Sequence, residues 1–254
     1  MCLILFAHRA HPDYRLVVAA NRDEWFRRPA APAGFWHDAP GVFAGRDLEA
    51  GGTWMGITRT RRFAALTNFR DPALNRPDAP SRGSLVHQFL TADASPALYL
   101  AALAESAHRF NGFSLLVGDG DALLYFSNRN CNISTLEPGI YGLSNDLLDV
   151  PWPKVRTGKT QLAQRLSGSV DAEDLLDVLG DSGIAPDGLL PRTGVPIEWE
   201  RSLSAAKIRT PDYGTRSSTV LLVGADGTVT FVERSFDPTG AESGTIRERF
   251  ATVR

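Results

Sequence analysis

The sequence has few of the residues that mark disulfide-rich or membrane proteins. Its 254 residues include only two cysteines, Cys2 and Cys131, which is too few for a disulfide framework. No apolar run approaches the ~20 residues that a membrane-spanning helix requires. The N-terminus also lacks the basic leader and long apolar region of a signal peptide. We therefore expect a cytoplasmic protein without an integral membrane segment.

The sequence lacks the motifs that several classes of protein require. The net charge is −2, and the one basic run, at 59–62, is too short for a nucleic-acid footprint. Gly158-Lys159-Thr160 resembles the end of a phosphate-binding loop, but Pro153 occupies the position of the required earlier glycine. No serine lies in a Gly-x-Ser-x-Gly elbow. None of the histidines forms a zinc spacing with a cysteine; they are His8, His11, His37, His87 and His108. We expect no metal site and no nucleic-acid partner.

Hydrophobic periodicity predicts strands and helices in separate runs. Predicted strands cover 2–9, 15–20, 53–58, 63–69, 113–117, 122–127, 217–224 and 228–235, and predicted helices cover 81–91, 96–110, 154–166 and 171–180. There is no regular alternation of strand and helix, so a parallel sheet is disfavoured. The pattern favours an α+β fold with antiparallel sheets and outer helices. No linker or repeat interrupts the chain, so we predict one domain over 1–254.

Cys2 directly follows the initiator methionine, which is removed when the next residue is small. The mature chain would then carry an α-amine and a thiol on one residue. The amine titrates near ~8 and the thiol near ~8.5, so one residue supplies both base and nucleophile. Alternatively, Cys2 only begins a buried strand. Position alone favours that structural role, because free cysteine is often a small buried hydrophobe.

Polar residues lie at the ends of several apolar runs. These residues are Asn21, Arg22, Asp23 and Glu24 after the second strand, Asn68 and Asn145 after others, and Arg216 before the last hairpin. Each has a structural explanation by itself, as a turn former or a solvated charge. Together they match amide hydrolysis by a thiol. A carboxylate can orient an ammonium group, an arginine can stabilise a thiolate, and an asparagine N–H can bind an oxyanion.

The chain resembles the NRDE family, also called the transport and Golgi organisation protein 2 family. The matching motifs are Met1-Cys2-Leu3-Ile4, Ala20-Asn21-Arg22-Asp23-Glu24, Gly51-Gly52-Thr53-Trp54, Thr67-Asn68-Phe69-Arg70, Ser81-Arg82-Gly83, Tyr141-Gly142-Leu143-Ser144-Asn145 and Tyr213-Gly214-Thr215-Arg216. They extend over most of the chain, and their combination is highly specific. That family in turn resembles the choloylglycine hydrolases and penicillin V acylases, which are N-terminal-nucleophile hydrolases.

This resemblance implies a four-layer αββα sandwich with Cys2 as the nucleophile. It implies that Asn68 and Asn145 are the two oxyanion asparagines and that Arg216 is the late arginine of the site. The acylases carry Arg-x-x-Asp where this chain has Asn21 and Glu24 at the same spacing. Asp23 or Glu24 is then expected to contact the α-amine.

Two functions follow from the resemblance. The first is hydrolysis of a non-peptide C–N amide bond, or a related acyl transfer, on a small-molecule substrate without a cofactor. The second is a non-catalytic role, because the eukaryotic branch of the family is linked to haem trafficking. Candidate haem ligands would be Cys2, Cys131 and the five histidines, and the sequence does not rank them.

Overall fold

The computed structural model describes residues 2–253. The strands are β1 (Cys2–His8), β2 (Tyr14–Trp25), β3 (Ala30–Phe35), β4 (Val42–Asp47), β5 (Met55–Thr58), β6 (Phe63–Asn68), β7 (Phe113–Gly118), β8 (Leu123–Ser127), β9 (Asn132–Thr135), β10 (Gly139–Leu143), β11 (Tyr213–Gly224), β12 (Thr228–Phe236) and β13 (Glu242–Ala251). The α-helices are α1 (Gly83–Thr91), α2 (Pro96–Ser106), α3 (Pro153–Arg165), α4 (Ala172–Leu179) and α5 (Ile197–Ser204). Within this described part, no helix is both long and apolar enough to cross a membrane.

Two antiparallel sheets form the centre of the molecule. One has the strand order β10-β1-β2-β11-β12-β13, and the other runs from β3 to β9 in sequence order. Because side chains alternate along a strand, Ile4 and Phe6 of β1 point into the core between the sheets, whereas Leu3 and Leu5 point outward. Both faces are therefore buried, which explains why β1 is a continuous apolar run.

Helices cover the outer face of each sheet. Helices α3 and α4 pack on the six-stranded sheet through residues such as Leu162 and Leu175. Helices α1 and α2 pack on the seven-stranded sheet through residues such as Phe89 and Leu100. The layers are thus helix, sheet, sheet, helix, and the predicted αββα sandwich is confirmed.

The structure contains elements that periodicity did not indicate. Strand β3 contains Pro32, which removes a backbone donor and is tolerated at the edge of a sheet. Strand β13, at the edge of the other sheet, is mostly exposed and polar, so it lacks an apolar signature. Strands β4, β9 and β10 and helix α5 are also additional to the prediction. The predicted helix over 96–110 ends at Ser106 and continues as a short 3-10 turn.

Gly52 allows two backbone segments to approach each other beside β5. A Cβ atom at this position would lie 2.5 Å from the carbonyl carbon of Gly83 and 2.9 Å from the backbone nitrogen of Ser84. The next residue, Thr53, donates its backbone N–H to the carbonyl of Gly83 at 3.2 Å. The start of α1 and the preceding Arg82 are therefore held against the segment before β5.

Replacing Gly52 by alanine is expected to destabilise the protein by about 1–3 kcal/mol, because backbone atoms must move to admit the methyl group. Urea denaturation measures the change. Gly34→Ala is the matched control, since nothing lies within 4 Å of its Cβ position. Equal stability of the two variants would contradict this account of the contact.

Candidate active site

Cys2 lies at the first position of β1 and lines a cleft of about 370 Å³. It is partly buried and forms no disulfide. Burial raises the pKa of its thiol, while the backbone N–H of Asp23 and the charge of Arg22 favour the thiolate. The cleft is lined largely by polar side chains, among them Asn68 and Arg82. A thiol in a polar cleft is accessible to a small molecule, unlike a cysteine that is enclosed by aliphatic side chains.

The antiparallel register places Asp23 beside the α-nitrogen of Cys2. Cys2 pairs with Arg22, so the backbone that precedes the Cα of Cys2 runs toward Asp23. The carboxylate of Asp23 is buried and accepts a hydrogen bond from Thr215 Oγ1 at 2.7 Å. Burial raises the pKa of Asp23, and the charge of Lys154 opposes this shift. Asp23 is thus a carboxylate beside the position where an N-terminal amine would lie.

Asn68 and Asn145 meet at the junction of the two sheets. Asn68 ends β6 and lines the same cleft as Cys2, although the two residues belong to different sheets. Asn145 is fully buried, and its Nδ2 donates to the backbone carbonyl of Asn68 at 2.8 Å. The neighbouring Ser144 donates from Oγ to the carbonyl of Cys2 at 3.1 Å. Asn145 therefore lies close to the site but behind Asn68, outside the lining of the cleft.

Asn21 points away from the cleft, toward the helix layer. Its Nδ2 donates to the carbonyls of Leu179 at 2.9 Å and Ala206 at 2.8 Å. Its Oδ1 accepts a hydrogen bond from Ser218 Oγ at 2.6 Å. These contacts fasten β2 to the end of α4 and to β11. The resemblance grouped Asn21 with the site residues. In the structure its side chain instead connects secondary-structure elements.

Arg216 lies beside the cleft rather than in it. The pairing of β11 with β2 shifts register between Thr215 and Ser217, so Arg216 forms a bulge, which re-aims its side chain. Its Nη1 donates to the carbonyls of Trp25, Phe26 and Arg28 at 3.0–3.1 Å. Arg216 thereby holds the segment after β2 and lines a second cleft of about 320 Å³.

Other arginines provide the guanidinium groups of the Cys2 cleft. Arg22 stacks on Trp54, with 4.2 Å between its Cζ and the ring centroid, and both residues line the Cys2 cleft and the second cleft. Arg82 lies in the motif Ser81-Arg82-Gly83, one of the motifs that match the family, for which the sequence analysis predicted no role. It donates to the carbonyl of Gly112 at 3.0 Å, and burial lowers its pKa while the charges of Glu24 and Cys2 oppose this shift.

Glu24 also lines the cleft and is half-buried. Its Oε1 accepts a hydrogen bond from the backbone N–H of Trp25 at 2.9 Å. Glu24 and Asp23 are consecutive residues of β2, and both line the cleft. Of the two carboxylates that the resemblance offered for the amine, Asp23 is the one adjacent in register.

A buried charged cluster, formed by Arg70, Glu200 and Lys154, lies close to Asp23. Arg70 Nη1 donates to Glu200 Oε2 at 2.6 Å, and both side chains are at least 96 % buried. The guanidinium of Arg70 also stacks on Trp152, the residue before α3. Arg70 belongs to the motif Thr67-Asn68-Phe69-Arg70. The clustering itself had no sequence signal, because Glu200 comes from a helix that was not predicted.

Asn21→Ala is expected to lower the free energy of unfolding by about 2–4 kcal/mol, because two buried carbonyls and a buried hydroxyl lose their partner. Urea denaturation gives the change. Asn75→Ala, at an exposed position of the same residue type, serves as the control. If the two substitutions had the same small effect, the architectural role of Asn21 would be refuted.

The fold is similar to that of a solved hydrolase. The Caenorhabditis elegans ortholog of N-acylethanolamine-hydrolyzing acid amidase matches with a TM-score of 0.50 over 87% of this chain and 92% of that chain, at 12% sequence identity. At this identity the likeness concerns the fold alone.

Sequence comparison identifies the family. The family model described as Transport and Golgi organisation 2 matches residues 1–238. The transport and Golgi organization protein 2 homolog of Bos taurus is 42% identical over 272 residues, which cover 96% of this chain and 98% of the relative. The human homolog is 40% identical over 259 residues, covering 92% and 93%. The chain therefore belongs to the Transport and Golgi organisation 2 family.

Proposed function

We propose that this protein is a cysteine-dependent hydrolase of a small-molecule C–N amide bond. The observation that carries the proposal is the convergence of Cys2 and Asn68, which come from different sheets, on one polar cleft. The position of Asp23, next to the residue that pairs with Cys2, supports the proposal. Membership of the family and the hydrolase fold agree with this arrangement.

In the first half of the reaction, Cys2 Sγ attacks the amide carbonyl carbon, and the thiol proton passes to the α-amine of Cys2. The carbonyl oxygen becomes an oxyanion, to which Asn68 Nδ2 donates a hydrogen bond. The α-ammonium then returns its proton to the leaving nitrogen as the C–N bond breaks. The products of this half are a free amine and a thioester on Cys2.

In the second half, the α-amine takes a proton from a water molecule, which attacks the thioester carbonyl. The C–S bond breaks, the proton passes to the thiolate, and the acid leaves. A nucleophile other than water would give acyl transfer by the same route. Asp23 pairs with the α-ammonium whenever the amine holds the proton.

The mechanism requires that Met1 is removed, because an amide nitrogen is not a base. The intact mass of the native protein is therefore expected to lack one methionine residue. A native protein that retains Met1 and whose Cys2 resists alkylation would leave the proposal without its base.

Cys2→Ala is expected to abolish thiol-dependent hydrolysis in a screen of acyl amides. Asn68→Ala is expected to lower kcat by roughly 10²–10³-fold, the usual loss for one oxyanion donor. Cys131→Ala is the matched control, because Cys131 is exposed and does not line the cleft. Hydrolysis that survives Cys2→Ala would disprove the assignment of the nucleophile.

A haem titration followed by absorbance separates this proposal from the haem-binding alternative. The Cys2 cleft is lined by charged side chains such as Arg22, Glu24 and Arg82, and this lining suits a polar amide better than a planar apolar ring. We therefore expect no stoichiometric haem complex. Stoichiometric haem binding that Cys2→Ala removes would favour the alternative.

A further inference from the structure

Lys154 is a buried cation at the start of α3, and it has no role in the mechanism described so far. Its side chain is only 5% exposed, and its Nζ has no hydrogen-bond partner within residues 2–253. A buried ammonium group normally requires such partners. It is also the second residue of α3, where the helix dipole disfavours a cation. Stability alone does not explain a lysine with these three disadvantages.

The packing of α3 directs Lys154 toward the N-terminal end of β1. Gly158 lies so close to Leu5 that a Cβ atom there would be 2.5 Å from Leu5 Cδ1. Four helical residues advance about 6 Å, nearly the distance of two residues along a strand. Because Asp23 and Cys2 both attract Lys154, α3 runs in the same direction as β1, and Lys154 lies near the N-terminal end of that strand. Helical side chains lean toward the helix N-terminus, so the ammonium group extends beyond α3 toward the site.

Charged and titratable groups of several other elements act on this ammonium group. Asp23 of β2 and Cys2 of β1 attract it, Arg70 after β6 repels it, and Glu200 of α5 attracts it more weakly. Tyr213 of β11 lies beside Asp23, since its hydroxyl donates to the carbonyl of Asp23 at 3.0 Å. Arg70 is already paired with Glu200. Lys154 is thus a cation available to balance a negative charge that develops at Cys2.

We propose that Lys154 is a positioning residue that stabilises the thiolate of Cys2 through its buried positive charge. The proposal rests on the proposed role of Cys2 as nucleophile. No bond to Lys154 forms or breaks, and the thiol proton still passes to the α-amine. The ammonium group lowers the free energy of the separated charges that this transfer creates.

The titration of Lys154 is consistent with this role. Burial lowers its pKa to about 8, against the attraction of Asp23. The group is therefore mostly protonated at neutral pH, when the thiol must ionise. Below pH 8 its charge favours the thiolate of Cys2, and this stabilisation is lost as the pH rises and Lys154 becomes neutral.

The rate of Cys2 alkylation by iodoacetamide, measured from pH 6 to 10, tests the proposal. The full-length protein is used in a Cys131→Ser background, so that only Cys2 reacts. Lys154→Met removes the charge and is expected to raise the apparent pKa of Cys2, which slows alkylation at pH 7 by roughly tenfold per pKa unit. Lys154→Arg keeps the charge and is expected to react at about the parent rate. A merely structural role would not move the pH profile.

Lys159→Met is the matched control, because Lys159 lies on the same helix, is partly exposed and pairs with Asp149 at 2.7 Å. It is expected to leave the profile unchanged. A parent-like profile in Lys154→Met would overturn the proposal. If Lys154→Met does not fold, Lys154→Arg decides the question, because an arginine stays charged at every pH tested. An apparent pKa of Cys2 in Lys154→Arg that is equal to or below that of the parent protein supports the proposal. A higher apparent pKa overturns it.

The experiment needs no substrate, so the two proposals fail separately. Dependence of alkylation on Lys154 without any amide hydrolysis would sink the proposed function and leave this inference standing. Hydrolysis that requires Cys2 but has the same pH profile in Lys154→Met as in the parent protein would support the proposed function and overturn this inference.

Discussion

The hydrogen bonds of Ser144 and Asn145 connect the two sheets at the point on which the candidate site depends. Ser144 holds the carbonyl of Cys2, and Asn145 holds the carbonyl of Asn68 and accepts the backbone N–H of Arg70 at 2.8 Å. Each bond uses a backbone group that a strand end would otherwise leave without a partner. These hydrogen bonds therefore hold together the strand ends that carry the thiol and the amide side chain.

The site also concentrates charge where the protein is least solvated. Arg70 and Glu200 are paired, and burial of such a pair contributes little net stability although loss of one partner is expensive. Asp23 and Lys154 are buried close to this pair, and burial shifts the pKa of each toward the neutral form. Buried charges with shifted pKa values are more common at functional sites than elsewhere. Because these buried charges lie close to Cys2, they are positioned to influence the chemistry of its thiol.

The residues of the sequence motifs divide into two groups in the structure. Cys2, Arg22, Asp23, Glu24 and Asn68 line the cleft, together with Arg82. Asn21, Asn145 and Arg216 support it from outside, because their polar atoms are occupied by backbone carbonyls. A polar residue at a strand end serves either purpose, and the direction of its side chain decides between them. Arg216, which lies outside the lining of the cleft, is located at a register shift in β11.

The sequence by itself determined the family, the order of most strands and helices, and the placement of a cysteine at the start of a buried strand. Those properties depend on local periodicity and on motifs, which are readable residue by residue. Only the tertiary structure decided which polar residues meet. Lys154 and Glu200 join Asp23 because α3 and α5 pack at the same end of the sheet, and no local pattern encodes such a long-range contact. Strands β3 and β13 were hidden for a related reason: at the sheet edges, pairing with a neighbour rather than an apolar pattern specifies the strand.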